Sequence, residues 1–420
     1  MLSILVNAYA CSPDIGSEPG MGWNWCINLA KHCQLHIITE GINENKIAKA
    51  LQTLPQGKNM HFYYNPVSEK VREICRNQGD WRFYWYYEKW QRKTYAMALD
   101  IIANNHIDIV HQLNMIGFRE PGFLWKIDNI PFIWGPIGGL MDVPLNYIAS
   151  QNVKKMIIAS IKSMINVLQL KYHTRVRKAA KRASFIVGAA RESVKKMERF
   201  YGKNAILLNE TGCYFNNFIP LKSYKNDDMF NIVWIGRFLY TKKLDLALKT
   251  ISKLTHLKKI KFHIVGFGNE KEVKYHKKLA ESLNIGDISV WYGNVAHATV
   301  QEIMQKSDFL FFTSVAEGTP HSVLEAISNC LPVVCFDCCG QGDSVNDKVG
   351  VKIKLSNPQQ SVNEFAEKIE ALYHHRELLE EMSRNCIVLR KELSWDNKAL
   401  QMLNLYRQAK ENFIVKEYNN

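Results

Sequence analysis

Along almost the whole chain, short apolar runs alternate with longer segments of mixed polarity. Residues 3–9 (SILVNAY), 34–40 (QLHIITE), 59–65 (NMHFYYN), 107–113 (IDIVHQL) and the run opening PFIWG at Pro131 are rich in β-branched and aromatic residues, and turn formers bound them. That pattern predicts strands, with SFIVGAA from Ser184 and AILLNE from Ala205 continuing the series. Helical patterns lie between them, from Trp23, Asn43, Glu120 and Glu192. A second series opens with NIVWIG at Asn231 and runs through KFHIVGFGNE, SVWYGNV, DFLFFTS and PVVCFD, again with helices between. Regular β-α alternation predicts an α/β architecture with parallel sheets. The polar run 221–228 (LKSYKNDD) marks the boundary between two domains, 1–222 and 223–394, and an amphipathic helix over 395–420 closes the chain.

Two stretches depart from this rhythm. Residues 81–98 (WRFYWYYEKWQRKTYAMA) pack Trp81, Phe83, Tyr84, Trp85, Tyr86, Tyr87 and Trp90 among Arg82, Lys89, Arg92 and Lys93. The mixture suits a membrane interface, a wall on which a sugar stacks, or an aromatic helix face packed on the sheet. Residues 152–182 set Met156, Ile157, Ile158, Ile161, Met164, Ile165, Leu168 and Leu170 against Lys154, Lys155, Lys162, Lys171, Arg175, Arg177, Lys178, Lys181 and Arg182. Such a segment either lies on an anionic bilayer or packs with a solvated basic face.

Composition narrows the class. A chain of 420 residues is long for one core and natural for two, and 47% hydrophobic with 22% charged residues describes a globular protein. No run approaches the eighteen apolar residues of a membrane span, and the N-terminus reads directly as a strand, so a cytoplasmic protein without a secretory signal is expected. Ten cysteines scattered through apolar segments imply reduced thiols. The CxxC of Cys335 and Cys338, next to Cys339, has no second pair to complete a zinc site, so no metal is expected. A net charge of +14 requires an anionic partner or location. Without a zinc-finger, RNP-like or basic-zipper pattern, the inner face of an anionic membrane is favoured over nucleic acid.

The candidate chemistry centres on 309–325, FLFFTSVAEGTPHSVLE. A buried strand stops at a turn, and Thr319 with Pro320 reads as N-cap and first position of the next helix. The amides of His321, Ser322 and Val323 are then available to an anion, for which a phosphate is suited. Glu317 and Glu325 flank that anion site, where carboxylates are repelled unless they bind hydroxyls, so the pair suggests a nucleotide sugar.

The E-x7-E arrangement in SVAEGTPHSVLEAISNCLPVV resembles the donor-site signature of family 4 glycosyltransferases. The resemblance implies the GT-B fold: two Rossmann-like domains facing across a cleft, an N-terminal one for the acceptor, a C-terminal one for the nucleotide sugar, and a last helix that crosses back onto the first. It further implies that Glu317 orients the hexose and Glu325 the ribose. GRFLYTKKLDLAL is similar to the family segment whose Arg and Lys grip the pyrophosphate. Arg237 and Lys242 match, while Lys243 replaces a glycine. Gly266 and Gly268 resemble the turn beneath the base. Asp343 stands where relatives carry a glutamate.

In the first half the match is looser. Gly16, Gly20 and Gly22 fail the dinucleotide fingerprint because Trp25 stands at its third glycine. GSEPGMGW resembles instead a first loop that runs under the donor diphosphate at Gly16 and beside the acceptor at Glu18, Pro19 and Gly20. His111, at a strand end, is a candidate to approach the transferred sugar, although Leu113 takes the second position of the family's H-x-H.

The donor set is therefore Gly16, Arg237, Lys242, Gly266, Gly268, Glu317, Gly318, Thr319, His321, Ser322 and Glu325, with Glu317, His111, Arg237 and Lys242 as catalytic candidates. The expected activity is retaining, metal-independent transfer of a hexose from a UDP- or GDP-linked donor, with no separate cofactor. The acceptor is a glycan or a lipid-linked sugar, and the setting is cell-surface polysaccharide synthesis. A sugar-nucleotide epimerase on the same fold and a non-catalytic nucleotide-binding membrane scaffold are the rivals.

Overall fold

A computed structural model describes residues 1–76, 82–115, 117–149, 153–203, 205–214, 219, 221–225, 228–318 and 320–418. The chain divides into two compact units. The first comprises Met1–Leu140, Ile165–Glu210 and Trp395–Asn420, and the second Met141–Met164 and Thr211–Ser394. Residues 141–164 and 211–222, placed with the first domain by the sequence, therefore belong to the second unit. The run read as a polar link carries Tyr224 into that unit's core, and Lys222 pairs with the buried Asp308 at 2.6 Å.

In the first unit seven parallel strands, β1 (Leu2–Ala8), β2 (Cys33–Thr39), β3 (Met60–Tyr64), β4 (Ile109–Asn114), β5 (Phe132–Ile137), β6 (Phe185–Gly188) and β7 (Ala205–Leu207), lie in the order β3-β2-β1-β4-β5-β6-β7. Helices cover both faces, which is why the central strands read as continuous apolar runs. The C-terminal helix Trp395–Tyr418 belongs to this unit. It buries Trp395, Ala399, Met402, Leu403, Tyr406 and Ala409, a three-and-four spacing, in one core with Ile4, Val6, Trp25 and Ile109.

The second unit holds six parallel strands, β8 (Phe230–Ile235), β9 (Ile260–Val265), β10 (Ser289–Gly293), β11 (Phe309–Phe312), β12 (Val333–Phe336) and β13 (Gly350–Ile353), in the order β10-β9-β8-β11-β12-β13. β8 is flanked by β9 and β11, with Phe309 opposite Ile232 and Leu310 opposite Val233. The chain thus reverses its winding between β8 and β11, as it does between β1 and β4. The carboxyl ends of such neighbouring strands leave a crevice in which open α/β sheets bind ligands.

Several elements differ from the pattern-based expectation. The predicted helix from Glu120 reduces to a single 3-10 turn, Leu124–Lys126, because Pro121 and Gly122, at φ +61°, break the helical path. The first helix starts earlier, at Ser17, with Gly16 as its cap, so Glu18, Pro19 and Gly20 lie in its first turn and not in a loop. Its glycines serve packing: a Cβ on Gly22 would meet Ala10 O at 2.3 Å and one on Gly20 would meet Ile15 O at 2.4 Å.

The aromatic stretch is a single helix, Arg82–Asn104, that buries Phe83, Tyr87 and Trp90 at i, i+4 and i+7 and leaves Tyr84 and Trp85 exposed. Trp81 lies outside the described residues. In the basic segment the helix Val153–Tyr172 exposes Ile157, Ile158, Ile161, Met164, Ile165 and Leu168, whereas Leu170 is buried. Asn152 and the side chains of Lys154 and Lys155 lie outside the described residues. Among the described residues, nine cysteines carry reduced thiols.

Candidate active site

The loop after β8 carries Arg237, Lys242 and Lys243, and backbone bonds fix it before any ligand arrives. Val315 N donates to Thr241 O at 2.9 Å, and the Thr313 hydroxyl donates to Lys242 O at 2.8 Å. Thr313 in turn accepts from the Trp234 indole at 2.9 Å. The ends of β8 and β11 are thereby bolted together, and the Lys242 ammonium bonds the Glu317 carboxylate across them. The same ammonium stands 5.2 Å from the Phe312 ring centroid.

Burial first, and then the neighbouring Arg237 guanidinium, pull Lys242 down to about 8, while the Glu317 carboxylate favours its charged form. Arg237 is exposed, and among the described residues its side chain makes no hydrogen bond or ion pair. Its planar donors are open to an anion.

Lys243 does something the sequence comparison with a glycine position did not suggest. It adopts φ +55° at the cap of the helix Leu244–Ser252, which is why a glycine is at home there. Its ammonium is buried and donates to Tyr147 O at 3.0 Å and Asp245 Oδ2 at 3.2 Å. It is committed to holding residue 147 in the second unit, and burial, the largest influence, lowers its pKa.

The turn at the end of β9 closes the adjacent flank. Gly236 N donates to Val265 O at 3.0 Å and Phe238 N to Phe267 O at 2.8 Å, so the loops after β8 and β9 run in contact. Gly266, at φ +151°, leaves only 1.8 Å between a Cβ and Gly236 O, and no side chain fits. A Cβ at Gly268 would meet Phe238 Cβ at 2.8 Å.

On the other flank the helix His321–Ser328 follows β11. Thr319, expected as its cap, lies outside the described residues. Pro320, at ψ 86°, occupies the cap position and not the first turn. Of the three amides expected to be available, Val323 donates to Pro320 O at 3.0 Å, a tight first turn; those of His321 and Ser322 have no acceptor among the described residues. The Gly318 carbonyl rests on Gly340, whose Cβ would lie 2.2 Å from it, and Gly340 N donates to Glu317 O at 3.3 Å.

Glu325 accepts from His297 at 3.2 Å and raises that imidazole's pKa. His321 is kept neutral chiefly by burial, with Glu325 favouring its charge and Lys242 opposing it. The imidazole thus lies within the electrostatic reach of both.

These residues therefore assemble in the second unit: Arg237, Lys242, Glu317, Gly318, His321, Ser322 and Glu325, with Gly266 and Gly268 shaping the neighbouring loop. Gly16, Glu18, Pro19, Gly20 and His111 lie in the first unit. His111 is fully buried and both ring nitrogens are engaged, Nδ1 with Tyr406 Oη at 2.7 Å and Nε2 with Gly135 O at 2.6 Å. A carbonyl only accepts, so Nε2 carries the proton and Nδ1 accepts from the tyrosine. Burial pulls the imidazole down to about 4. No ring atom remains for a substrate, so the candidate catalytic His111 is a structural clamp between β4, β5 and the C-terminal helix.

In the first unit a cavity of about 200 Å³ opens between Glu18, Tyr84, Met115, Gly117, Arg119 and Glu120. The Glu120 carboxylate accepts from Arg175 at 2.7 Å, yet burial, the dominant influence, raises it to about 7, with Glu88 adding to the rise. Arg119 is held by Gln169 at 2.6 Å and by Asn166. Sequence reasoning found Glu18 but missed Arg119 and Glu120, which follow an irregular turn with no periodicity to mark them. Among the described residues no group of three His, Cys, Asp or Glu side chains is placed to hold a metal ion, and no helix is long and apolar enough to cross a membrane.

Residues 216–387 match the family of glycosyl transferases group 1. An uncharacterized glycosyltransferase of Methanocaldococcus jannaschii is 25% identical over 186 residues, which is 44% of this chain and 46% of that protein. The Escherichia coli lipopolysaccharide 1,6-galactosyltransferase is 35% identical over 92 residues, 21% of this chain and 25% of that one. The aligned parts thus span less than half of either relative.

Among solved structures, a glycosyltransferase from Rickettsia africae superposes with a TM-score of 0.66 at 15% identity, over 98% of this chain and 99% of that one. Anabaena HepE, solved in complex with UDP, gives 0.61 at 13% over 97% and 100%. At these identities the likeness establishes the fold, and the fold is GT-B.

Proposed function

We propose that the second unit binds a nucleoside-diphosphate sugar and that the protein is a retaining hexosyltransferase of the family 4 type. Its products would enter cell-surface polysaccharide. The observation that carries this reading is the meeting of Lys242 and Glu317 at the carboxyl ends of β8 and β11, beside the exposed Arg237 and the first turn of the His321 helix. Cations and open amides suit a diphosphate, and the carboxylate suits sugar hydroxyls.

As the bond between the sugar's anomeric carbon and the β-phosphate oxygen breaks, charge accumulates on the leaving diphosphate. Arg237 and Lys242 would take it up, an electrostatic contribution of the kind that often dominates catalysis. In this reading the protein's own cations neutralise the leaving group without a metal. Glu317 orients the hexose, and Glu325, one turn inside the helix His321–Ser328, faces the ribose. The donor base, uracil or guanine, is the one set by the loop of Gly266 and Gly268. The UDP complex of Anabaena HepE and the names of the relatives favour this class of donor and product.

The acceptor, a glycan or lipid-linked sugar, would occupy the cavity beside Glu18. There the exposed Tyr84 offers a ring face, and Arg119, Glu120 and Glu18 offer partners for hydroxyls; Pro19 and Gly20 carry the backbone past it. A protein with this charge would work at an anionic membrane surface, on its cytoplasmic side. Incubating the protein with UDP- and GDP-sugars, with and without acceptor glycans, tests the reading. Nucleoside diphosphate released only with acceptor supports transfer, and conversion of the donor sugar without acceptor would make it an epimerase.

A further inference from the structure

We propose that a basic concavity in the first unit, away from the residues discussed above, holds the phosphate of an anionic phospholipid headgroup. A cavity of about 420 Å³ has Arg177, Lys178, Lys181 and Lys203 around a floor of Phe200 and Tyr201. The helix Thr174–Arg182, TRVRKAAKR, buries Val176, Ala179 and Ala180 and turns Arg177, Lys178 and Lys181 outward, without one acid in its length. Among the described residues none of those three forms an ion pair. Lys203 is positioned by its bond to Ala183 O at 3.1 Å. Four cations with no carboxylate among them in a concave wall repel one another and attract a phosphate ester.

A free phosphate and a lipid phosphate share that chemistry, and the neighbouring surface selects the lipid. The Tyr201 hydroxyl donates to Leu170 O at 2.7 Å, tying the floor of the cavity to the end of the helix Val153–Tyr172. Leu170 is buried, but Ile165, Val167, Leu168 and Tyr172 beside it in the same unit are 43%, 40%, 47% and 60% exposed. A soluble anion leaves those side chains in water. A bilayer takes them into its interfacial region while a headgroup fills the cavity.

The inference rests on the functional reading only for the membrane setting, and its test needs neither donor nor acceptor. The full chain is sedimented with vesicles of phosphatidylcholine alone and of phosphatidylcholine containing one-third phosphatidylglycerol. Binding is expected to the second and not the first. Neutralising Lys178→Gln with Lys181→Gln should weaken it about 30-fold, from about fivefold per basic charge. Leu168→Ser with Ile165→Ser, both at exposed positions, should weaken it with the cations intact, and millimolar inorganic phosphate should leave it unchanged.

Equal binding to both vesicles, full binding by the Lys178/Lys181 variant, or displacement by inorganic phosphate would overturn the proposal, the last by making the cavity a soluble-anion site. Calorimetric binding of nucleotide sugars by the same variants is expected to be unaltered. Failure here and failure of the donor site are therefore read separately.

Discussion

Lys242 is a cation whose backbone is pinned by Thr313 and whose charge is shared between Glu317 and a future ligand. In the proposed donor site, replacing it with alanine removes one charge-assisted contact to the diphosphate, worth about 1.5–3 kcal/mol, so affinity for the donor nucleotide should fall roughly 10- to 100-fold. Titration by calorimetry checks this. The protonated amine is the binding form, so affinity should be flat at neutral pH and decline as pH rises through about 8, with Lys242→Arg abolishing the decline.

His111 behaves in the opposite sense, acting on stability and not on binding. Its folded pKa of about 4 lies below the unfolded value of 6.5, so the unfolded chain takes up the proton first. The stability it contributes is complete above 6.5 and is lost as pH falls toward 4, at most about 3 kcal/mol. His111→Ala should lower unfolding free energy by about 2–4 kcal/mol, since it leaves Tyr406 and Gly135 without their buried partner, and should leave affinity for the proposed donor nucleotide unchanged. Denaturant titration beside calorimetry separates the two effects.

At the scale of elements, the β11–turn–helix segment was legible because each part has a local cause. FLFF is buried on both faces, and Pro320, its φ held at −81° by the ring, stands at the cap from which the helix His321–Ser328 starts. What supports the segment was not legible. Gly340 sits beneath Gly318 only because β12 delivers the helix Cys339–Ser344 there, a long-range packing that no local pattern records. Likewise the two engaged nitrogens of His111 depend on Tyr406, 295 residues away in sequence.

Two glycine substitutions test the segment. Gly340→Ala places a methyl 2.2 Å from the Gly318 carbonyl, so the Glu317 turn must shift and donor affinity should fall at least tenfold. Among the described residues a Cβ on Gly318 meets nothing within 4 Å, so Gly318→Ala should leave stability by thermal unfolding unchanged. Any loss of donor affinity in it reports direct approach of the ligand.

For the molecule as a whole, each parallel sheet has one winding reversal, between β1 and β4 in the first unit and between β8 and β11 in the second, and in the second unit Arg237, Lys242 and Glu317 follow those two strand ends, whereas His111 lies inside β4. Residues 171–203 carry eleven Lys and Arg against two Glu, a large part of the net charge of +14, and only the structure separates the exposed apolar side chains beside them from packed ones.

In the proposed donor site the second unit grips the diphosphate of a sugar nucleotide through Lys242 and its neighbours. Calorimetric titration of the wild-type chain and of Lys242→Ala with UDP-, GDP- and ADP-sugars tests it most directly. Saturable binding of at least one compound, weakened tenfold or more in the variant, is the predicted result. Absence of binding to every compound, or equal affinity in the two proteins, would contradict it.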